Sequence, residues 1–222
     1  MDLRSVLIQA VTEFFPVSSS AHLFLFSKGS LAPELLHFGT IITVIVYFRK
    51  ELWKHIFTVC IGSIPAIALG YMIKTFSVPL YEKEVIKWGF LLGTLFMIFA
   101  EFTTQTSKTK VSFKDAFLVG LMQCFAFIPG FSRLGATLSA ARILGYNRSA
   151  SATFSFLLSI PVSLGALVLS NTTLNTMLAL SPYIALEVVV GYLALMVFMK
   201  CNSQLLMLAL AFYRMFIFYM MF

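Results

Sequence analysis

Six apolar segments run through the chain, each long enough or nearly long enough to be a transmembrane helix. They are Pro33–Phe48, Ile56–Ile73, Trp88–Phe102, Ser149–Ser170, Pro182–Met199 and Leu205–Phe222. A transmembrane helix needs roughly 20 apolar residues, within a range of about 17–25. Only 11% of the 222 residues are charged, so the chain cannot cover its surface with polar groups in water. The pattern predicts an all-α integral membrane protein with six transmembrane helices, and it excludes a soluble enzyme or a disordered chain.

Two further apolar segments are each interrupted by a polar turn. The first, at about residues 4–28, is broken at Glu13 and at Phe15–Ser20, and the second, at about residues 116–145, is broken at Pro129–Arg133. A half-length helix, a polar turn and another half-length helix are typical of a re-entrant hairpin. Irregular backbone persists at membrane depth only where protein or a wet cavity surrounds it. We therefore expect two re-entrant helical hairpins within one membrane domain, residues 1–222.

The two hairpins divide the chain into similar halves. Pro16 and Pro129 lie 113 residues apart, and each half has a hairpin followed by three spans. The first predicted repeat is 1–110, with spans 33–48, 56–73 and 88–102; the second is 111–222, with spans 149–170, 182–199 and 205–222. This register places Ser19 on Ser132. Three spans reverse the direction of the chain, so the second repeat is inverted, and paired broken helices indicate a binding site near the bilayer midplane.

Charged residues at membrane depth are costly and usually functional. Glu13 and Arg133 lie on the two hairpins, so we expect them to meet. Glu187 and Arg214 lie on the last two spans, where a structural ion pair is expected. The net charge of +7 comes largely from basic residues between apolar segments, which serve membrane topology. It does not indicate nucleic acid.

The turn of the second hairpin has the composition of a phosphate-binding site. Gly130 and Gly135 allow close approach of the backbone to a ligand, and the following helix begins with free N–H groups that bind anions. Arg133 offers a guanidinium fork that matches phosphate oxygens. The alternative is a simple helix break in which Arg133 pairs with Glu13 for structure alone.

The first hairpin carries residues suited to acid–base chemistry. Gln9 and Glu13 are four residues apart and share a helix face, so they could hold a divalent cation with phosphate or position a water. His22 can transfer protons near neutral pH, and Ser18 or Ser19 could be a nucleophile if His22 activates it. The alternative for the serines is turn formation and helix capping. His37, on the first full span, is expected to line the same cavity.

Both hairpins resemble the signatures of one family. Gln9-x-x-x-Glu13-Phe-x-Pro16-x-Ser18-Ser19-x-x-His22 resembles the first signature of the undecaprenyl-pyrophosphate phosphatases, the bacitracin-resistance family, and Pro129-Gly130-x-Ser132-Arg133-x-Gly135-x-Thr137 resembles the second. The resemblance covers nearly the whole chain. It implies interdigitated inverted repeats in the bacterial inner membrane. It also implies hydrolysis of undecaprenyl pyrophosphate to undecaprenyl phosphate and inorganic phosphate, which recycles the lipid carrier for cell-wall synthesis and confers bacitracin resistance.

The same resemblance assigns roles to residues. It implies that Glu13 is essential with Gln9 as its partner, that His22 transfers a proton, and that Ser19 is the proposed nucleophile. Arg133 would bind phosphate, assisted by the residues around it: Ser18, Gly130, Ser132, Gly135 and Thr137. A divalent cation, Mg²⁺ or Ca²⁺, could be held by Glu13 and Gln9.

Four positions depart from the family pattern. Ala21, Leu134 and His37 stand where Gly, Ser and Gln are usual, and Thr153 stands where a charged residue is common. A non-catalytic transporter or flippase for a polyprenyl phosphate lipid is the alternative function, because inverted repeats with broken helices are also typical of transporters. The sequence leaves a homodimer open.

Overall fold

A computed structural model describes residues 2–27, 33–77, 82–103, 107–170 and 173–221. The predicted ends of the first hairpin, residue 28, and of the last span, residue 222, lie outside these ranges. Within them the regular elements are helices: α1 (Leu3–Thr12), α2 (Ser19–Phe26), α3 (Pro33–Tyr47), α4 (Arg49–Thr75), α5 (Lys83–Thr103), α6 (Phe113–Gln123), α7 (Arg133–Ile143), α8 (Arg148–Leu169), α9 (Leu174–Ala179), α10 (Ser181–Cys201) and α11 (Gln204–Met221), with a 3₁₀ turn at Cys124–Phe127.

Four of these helices, α4, α5, α8 and α10, are long and apolar enough to cross a membrane. They contain the predicted spans 56–73, 88–102 and 182–199, and all of the span 149–170 except Ser170. Several shorter apolar helices accompany them, among them α1 and most of α3 and α11. The protein is therefore a helical, multi-pass membrane protein. With 15 residues, α3 is about 22 Å long, less than the roughly 30 Å of a bilayer core, so the crossing by this segment stays a prediction.

Each interrupted segment forms two helices joined by a turn, α1 with α2 and α6 with α7. In both pairs a serine with a positive φ angle precedes the second helix, Ser18 at 71° and Ser132 at 75°. A non-glycine residue rarely adopts this conformation. The turns therefore match at Ser18 and Ser132, and the register that placed Ser19 on Ser132 was wrong. The reason is one extra residue between Pro129 and α7, so that Ser19 corresponds to Arg133.

The second helix of the second hairpin, α7, is enclosed by protein. Every residue of α7 from Leu134 to Arg142 is buried, although α7 is only 11 residues long. It packs mainly against α5, α6 and α8. Such surroundings shield a short helix and its polar turn from lipid, as irregular backbone at membrane depth requires.

Arg214 of α11 holds the two hairpin turns together. Its guanidinium is fully buried and donates to the carbonyls of Pro16 (3.3 Å) and Gly130 (2.7 Å), one from each turn. It also donates to Thr94 Oγ1 at 2.8 Å. The predicted ion pair with Glu187 was wrong: Glu187 accepts from Thr40 Oγ1 at 3.1 Å instead. Arg214 therefore donates to backbone carbonyls of the two turns rather than to a carboxylate.

Candidate active site

The two hairpin turns and the second half of α8 enclose a cavity of about 280 Å³. Ligand sites in proteins usually have volumes of about 300–1,000 Å³, so this space suits a compact polar group. Its polar lining includes serine, glutamate and arginine side chains. Apolar residues, among them Ile73, Phe127, Val162 and Ala166, also line it.

An ion pair joins the hairpins at the polar side of the cavity. Arg133 Nη2 donates to Glu13 Oε1, and Arg133 Nη1 donates to Ser163 Oγ at 2.6 Å. The Glu13 and Arg133 side chains are only 7% and 17% exposed. The expected meeting of these two residues is therefore confirmed. Because a buried charge without its partner is strongly unfavourable, each residue holds the other in place.

The second oxygen of Glu13 is also occupied. Glu13 Oε2 accepts from Ser19 Oγ at 2.5 Å and from Gln9 Nε2 at 2.9 Å, so Gln9 and Glu13 do share a helix face. His37 lines the cavity as expected, with its Nδ1 3.6 Å from Glu13 Oε1 and 3.3 Å from Gln9 Nε2. The Ser19 hydroxyl therefore contacts the Glu13 carboxylate, which is placed to act as its base.

His22 lies outside the cavity and does not contact the hydroxyl of Ser19. Its Nδ1 is 2.8 Å from the carbonyl oxygen of Ser18, and its Nε2 is 2.9 Å from the Tyr213 hydroxyl. A carbonyl only accepts, so Nδ1 donates, and in the neutral ring Nε2 accepts from Tyr213. The geometry does not support activation of Ser18 or Ser19 by His22. Instead His22 fixes the strained Ser18 backbone against α11.

The two glycines of the second signature serve packing rather than a ligand. A Cβ at Gly130 would lie 2.4 Å from the carbonyl oxygen of Ile86, and one at Gly135 would lie 3.1 Å from Met97 Sδ. Both neighbours belong to α5. Gly130 also has a φ of 97°, a conformation that favours glycine. Neither glycine lines the cavity, so the expected approach of their backbone to a ligand is not seen.

The other predicted phosphate-binding residues of the two signatures differ in whether they line the cavity. Ser18, Ser132 and Arg133 line the cavity. Thr137 does not: it is fully buried, and its Oγ1 donates to the carbonyl of Arg133 at 3.0 Å. Ser132 Oγ caps α7 by accepting from Gly135 N–H at 3.2 Å. Three of the predicted phosphate-binding residues therefore reach the cavity, and Thr137 supports the first turn of α7.

Sequence reasoning missed four polar residues of the cavity wall, namely Thr12, Ser20, Gln123 and Ser163. Ser163 contacts Arg133 from α8, and Gln123 reaches the cavity from the end of α6. Ser163 was visible as a polar residue within an apolar span, but the helix rotation that aims it at Arg133 depends on packing. Leu134, where the family usually has Ser, takes an apolar place in the wall, while Ala21 is buried.

The described residues contain no cluster of three or more His, Cys, Asp or Glu side chains that could hold a metal ion. Glu13 is the only carboxylate among the described cavity-lining residues. Mg²⁺ is usually bound by one or two carboxylates together with substrate phosphates. The donor set fits a cation only when a phosphate ligand supplies most of the oxygens.

Comparisons with known proteins identify the family. The family model described as "Bacitracin resistance protein BacA" matches residues 5–219. The chain belongs to this family. Relatives named undecaprenyl-diphosphatase share 36% identity in Geotalea daltonii, 35% in a Nocardioides species and 38% in Pelagibacter ubique. These matches cover 72%, 72% and 73% of this chain and 71%, 70% and 71% of the respective relatives. The family predicted from the two signatures is confirmed.

Proposed function

We infer that the protein is a membrane phosphatase that hydrolyses undecaprenyl diphosphate to undecaprenyl phosphate and inorganic phosphate. The observation that carries this conclusion is the Glu13–Arg133 pair, which joins two polar turns at a cavity inside a multi-pass membrane protein of the BacA family. A lipid diphosphate keeps its tail in the bilayer, so its head group needs a charged site there. In the bacterial inner membrane the product returns to cell-wall synthesis as lipid carrier, and the activity confers bacitracin resistance.

Arg133 is proposed to bind the diphosphate by exchanging partners. Its two terminal nitrogens contact Glu13 and Ser163 in the structure. Phosphate oxygens offer the same guanidinium a bidentate partner, and the start of α7 adds backbone N–H groups and a helix dipole. Together these groups stabilise the charge that develops on the transferred phosphoryl group. When Arg133 turns to phosphate, Glu13 loses its counter-ion and becomes a stronger base.

Glu13 is proposed to accept the proton of the attacking group. In one route the Ser19 oxygen attacks the terminal phosphorus, undecaprenyl phosphate leaves, and water then hydrolyses the phosphoserine. In the other route Glu13 deprotonates a water that attacks directly. The contact between Ser19 Oγ and Glu13 Oε2 serves both routes, since it either activates Ser19 or holds Glu13 in position.

His22 is proposed to position the site rather than to carry protons. Both of its ring nitrogens are engaged, one with the Ser18 carbonyl and one with Tyr213. The imidazole is 3% exposed and does not line the cavity. Its contribution is to hold Ser18 in its rare backbone conformation, which in turn presents Ser19 to Glu13.

A divalent cation, Mg²⁺ or Ca²⁺, is proposed to bind together with the substrate. Glu13 and the Gln9 amide oxygen would hold it, and it would neutralise charge on the diphosphate. Because the protein offers a single carboxylate, we expect weak cation binding in the absence of substrate. A chelator should reduce activity, and excess Mg²⁺ should restore it.

The architecture is proposed to comprise six transmembrane helices and two re-entrant hairpins in inverted repeats, residues 1–110 and 111–222. Matching positive-φ serines at the two turns support the repeat. The single chain is proposed as the catalytic unit, because both hairpins and α8 of one chain form the cavity. A homodimer would duplicate this site rather than complete it.

Phosphate release from undecaprenyl diphosphate by the purified protein in detergent tests the function. We expect release that depends on the divalent cation and yields undecaprenyl phosphate. Farnesyl diphosphate in a parallel reaction shows whether the long tail is needed. A transporter or flippase would leave the lipid diphosphate intact, so lipid movement in vesicles without phosphate release would overturn the enzymatic proposal.

A further inference from the structure

Gln123 is a buried amide in the cavity wall that lacks hydrogen-bond partners in the described part of the chain. The residue is 1% exposed and lines the cavity together with Glu13, Ser132 and Arg133. Neither its Nε2 nor its Oε1 has a hydrogen-bond partner among the described residues. Buried polar groups are nearly always paired in folded proteins, and each exception needs an explanation.

The position of Gln123 in the fold points to the cavity. It is the last residue of α6, just as Glu13 directly follows the last residue of α1. The first helix of each hairpin thus ends by presenting a polar side chain to the same space. Glu13 accepts hydrogen bonds from Arg133, Ser19 and Gln9. The amide of Gln123 has no hydrogen-bond partner among the described residues.

We propose that Gln123 is a substrate-binding residue whose Nε2 donates a hydrogen bond to a phosphate oxygen of the bound diphosphate. This inference rests on the proposed function for the identity of the ligand. A neutral donor beside Arg133 adds a contact without adding charge. A carboxylate could not replace it, because an ionised carboxylate only accepts. Oε1 would accept from water that hydrates the head group, so ligand binding would satisfy both atoms.

The proposal predicts opposite effects of Gln123→Met on stability and activity. Met has a similar length but no hydrogen-bonding groups, so removing two unpaired buried atoms should raise the melting temperature of the ligand-free protein. Losing a hydrogen bond to a charged phosphate should lower kcat/KM by about ten- to a hundredfold. A purely structural glutamine would not combine these two changes.

Ser139→Ala is the matched control. Ser139 is 1% exposed and its hydroxyl also has no partner among the described residues, but it does not line the cavity. We expect this variant to gain stability with kcat/KM unchanged. The comparison separates removal of an unpaired buried group from loss of a ligand contact.

Gln123→Glu tests the donor directly, because it keeps the shape of the side chain and replaces the donor with an acceptor. We expect a larger loss of kcat/KM than for Gln123→Met, since the carboxylate repels phosphate. Inorganic pyrophosphate provides a readout independent of turnover: it should raise the melting temperature of the wild type, and by less in either Gln123 variant.

The outcomes distinguish this proposal from the proposed function. If the wild type releases no phosphate from the lipid, the function fails, while the pyrophosphate-induced shift still reports on Gln123. Wild-type kcat/KM and a wild-type pyrophosphate shift in Gln123→Met would overturn the proposal. If that variant does not fold, wild-type activity in Gln123→Glu would overturn it equally.

Discussion

Replacing Arg133 with Lys keeps the positive charge but removes the guanidinium fork. Arg133 uses one terminal nitrogen for Glu13 and the other for Ser163, and both are needed for bidentate contact with phosphate. A lysine ammonium is a compact point charge and cannot make the two parallel hydrogen bonds of the guanidinium fork. A hydrogen bond to a charged group contributes about 1.5–3 kcal/mol, so losing one in the transition state should lower kcat/KM by about ten- to a hundredfold.

The assay for Arg133→Lys is phosphate release from undecaprenyl diphosphate, with circular dichroism as a check on folding. Ser163→Ala is the matched control, because it removes the supporting hydroxyl and keeps the fork. We expect this control to lose less activity than Arg133→Lys. Near-normal turnover of a folded Arg133→Lys variant would refute the argument that the fork binds phosphate, and would leave Arg133 as a structural partner of Glu13.

Four further perturbations test other parts of the account. Ser19→Ala should keep turnover at about one-tenth to one-hundredth of wild type, because it removes one hydrogen bond to the Glu13 carboxylate. Complete loss of turnover, together with a phosphoserine trapped in the wild type, would assign the attack to Ser19. His22→Asn should lower kcat while the pH–rate profile keeps its shape, and loss of one limb would make His22 a proton carrier. Arg214→Lys should cost about 3–6 kcal/mol of stability, since at least two hydrogen bonds from a charged group are lost; an unchanged melting temperature in detergent would contradict its role at the turns. Glu187→Met should raise the melting temperature at unchanged kcat/KM, because it removes a buried carboxyl group whose Oε2 has no hydrogen-bond partner in the described ranges. A lower melting temperature would argue against an unpaired acid.

The meeting of Glu13 and Arg133 could be predicted from the sequence because each lies on an interrupted apolar segment. A charge at membrane depth needs a partner, and an acid and a base on paired hairpins are the simplest solution. The alternation of long apolar segments and polar breaks predicted six spans, and four of them are helices long and apolar enough to cross a membrane. These features depend on composition and spacing, which the sequence displays directly.

Contacts to backbone groups could not be predicted in the same way. Arg214 binds carbonyls that the turns at Pro16 and Gly130 leave free, and no side-chain pattern marks a free carbonyl. His22 was expected beside the serines, but the orientation of α2 places its ring between the Ser18 carbonyl and Tyr213. Gln123 and Ser163 gain their places through helix rotation, which packing of distant segments decides.

In the proposed mechanism, the buried Glu13 carboxylate facing Arg133 drives hydrolysis of a lipid diphosphate. Glu13→Gln removes this base, because the amide keeps the shape of the side chain and cannot accept the proton. General-base catalysis contributes about 10²–10⁴-fold, so phosphate release by the variant should fall by at least about a hundredfold relative to wild type, with helical content unchanged. Turnover of a folded Glu13→Gln protein within a few-fold of wild type would contradict the account.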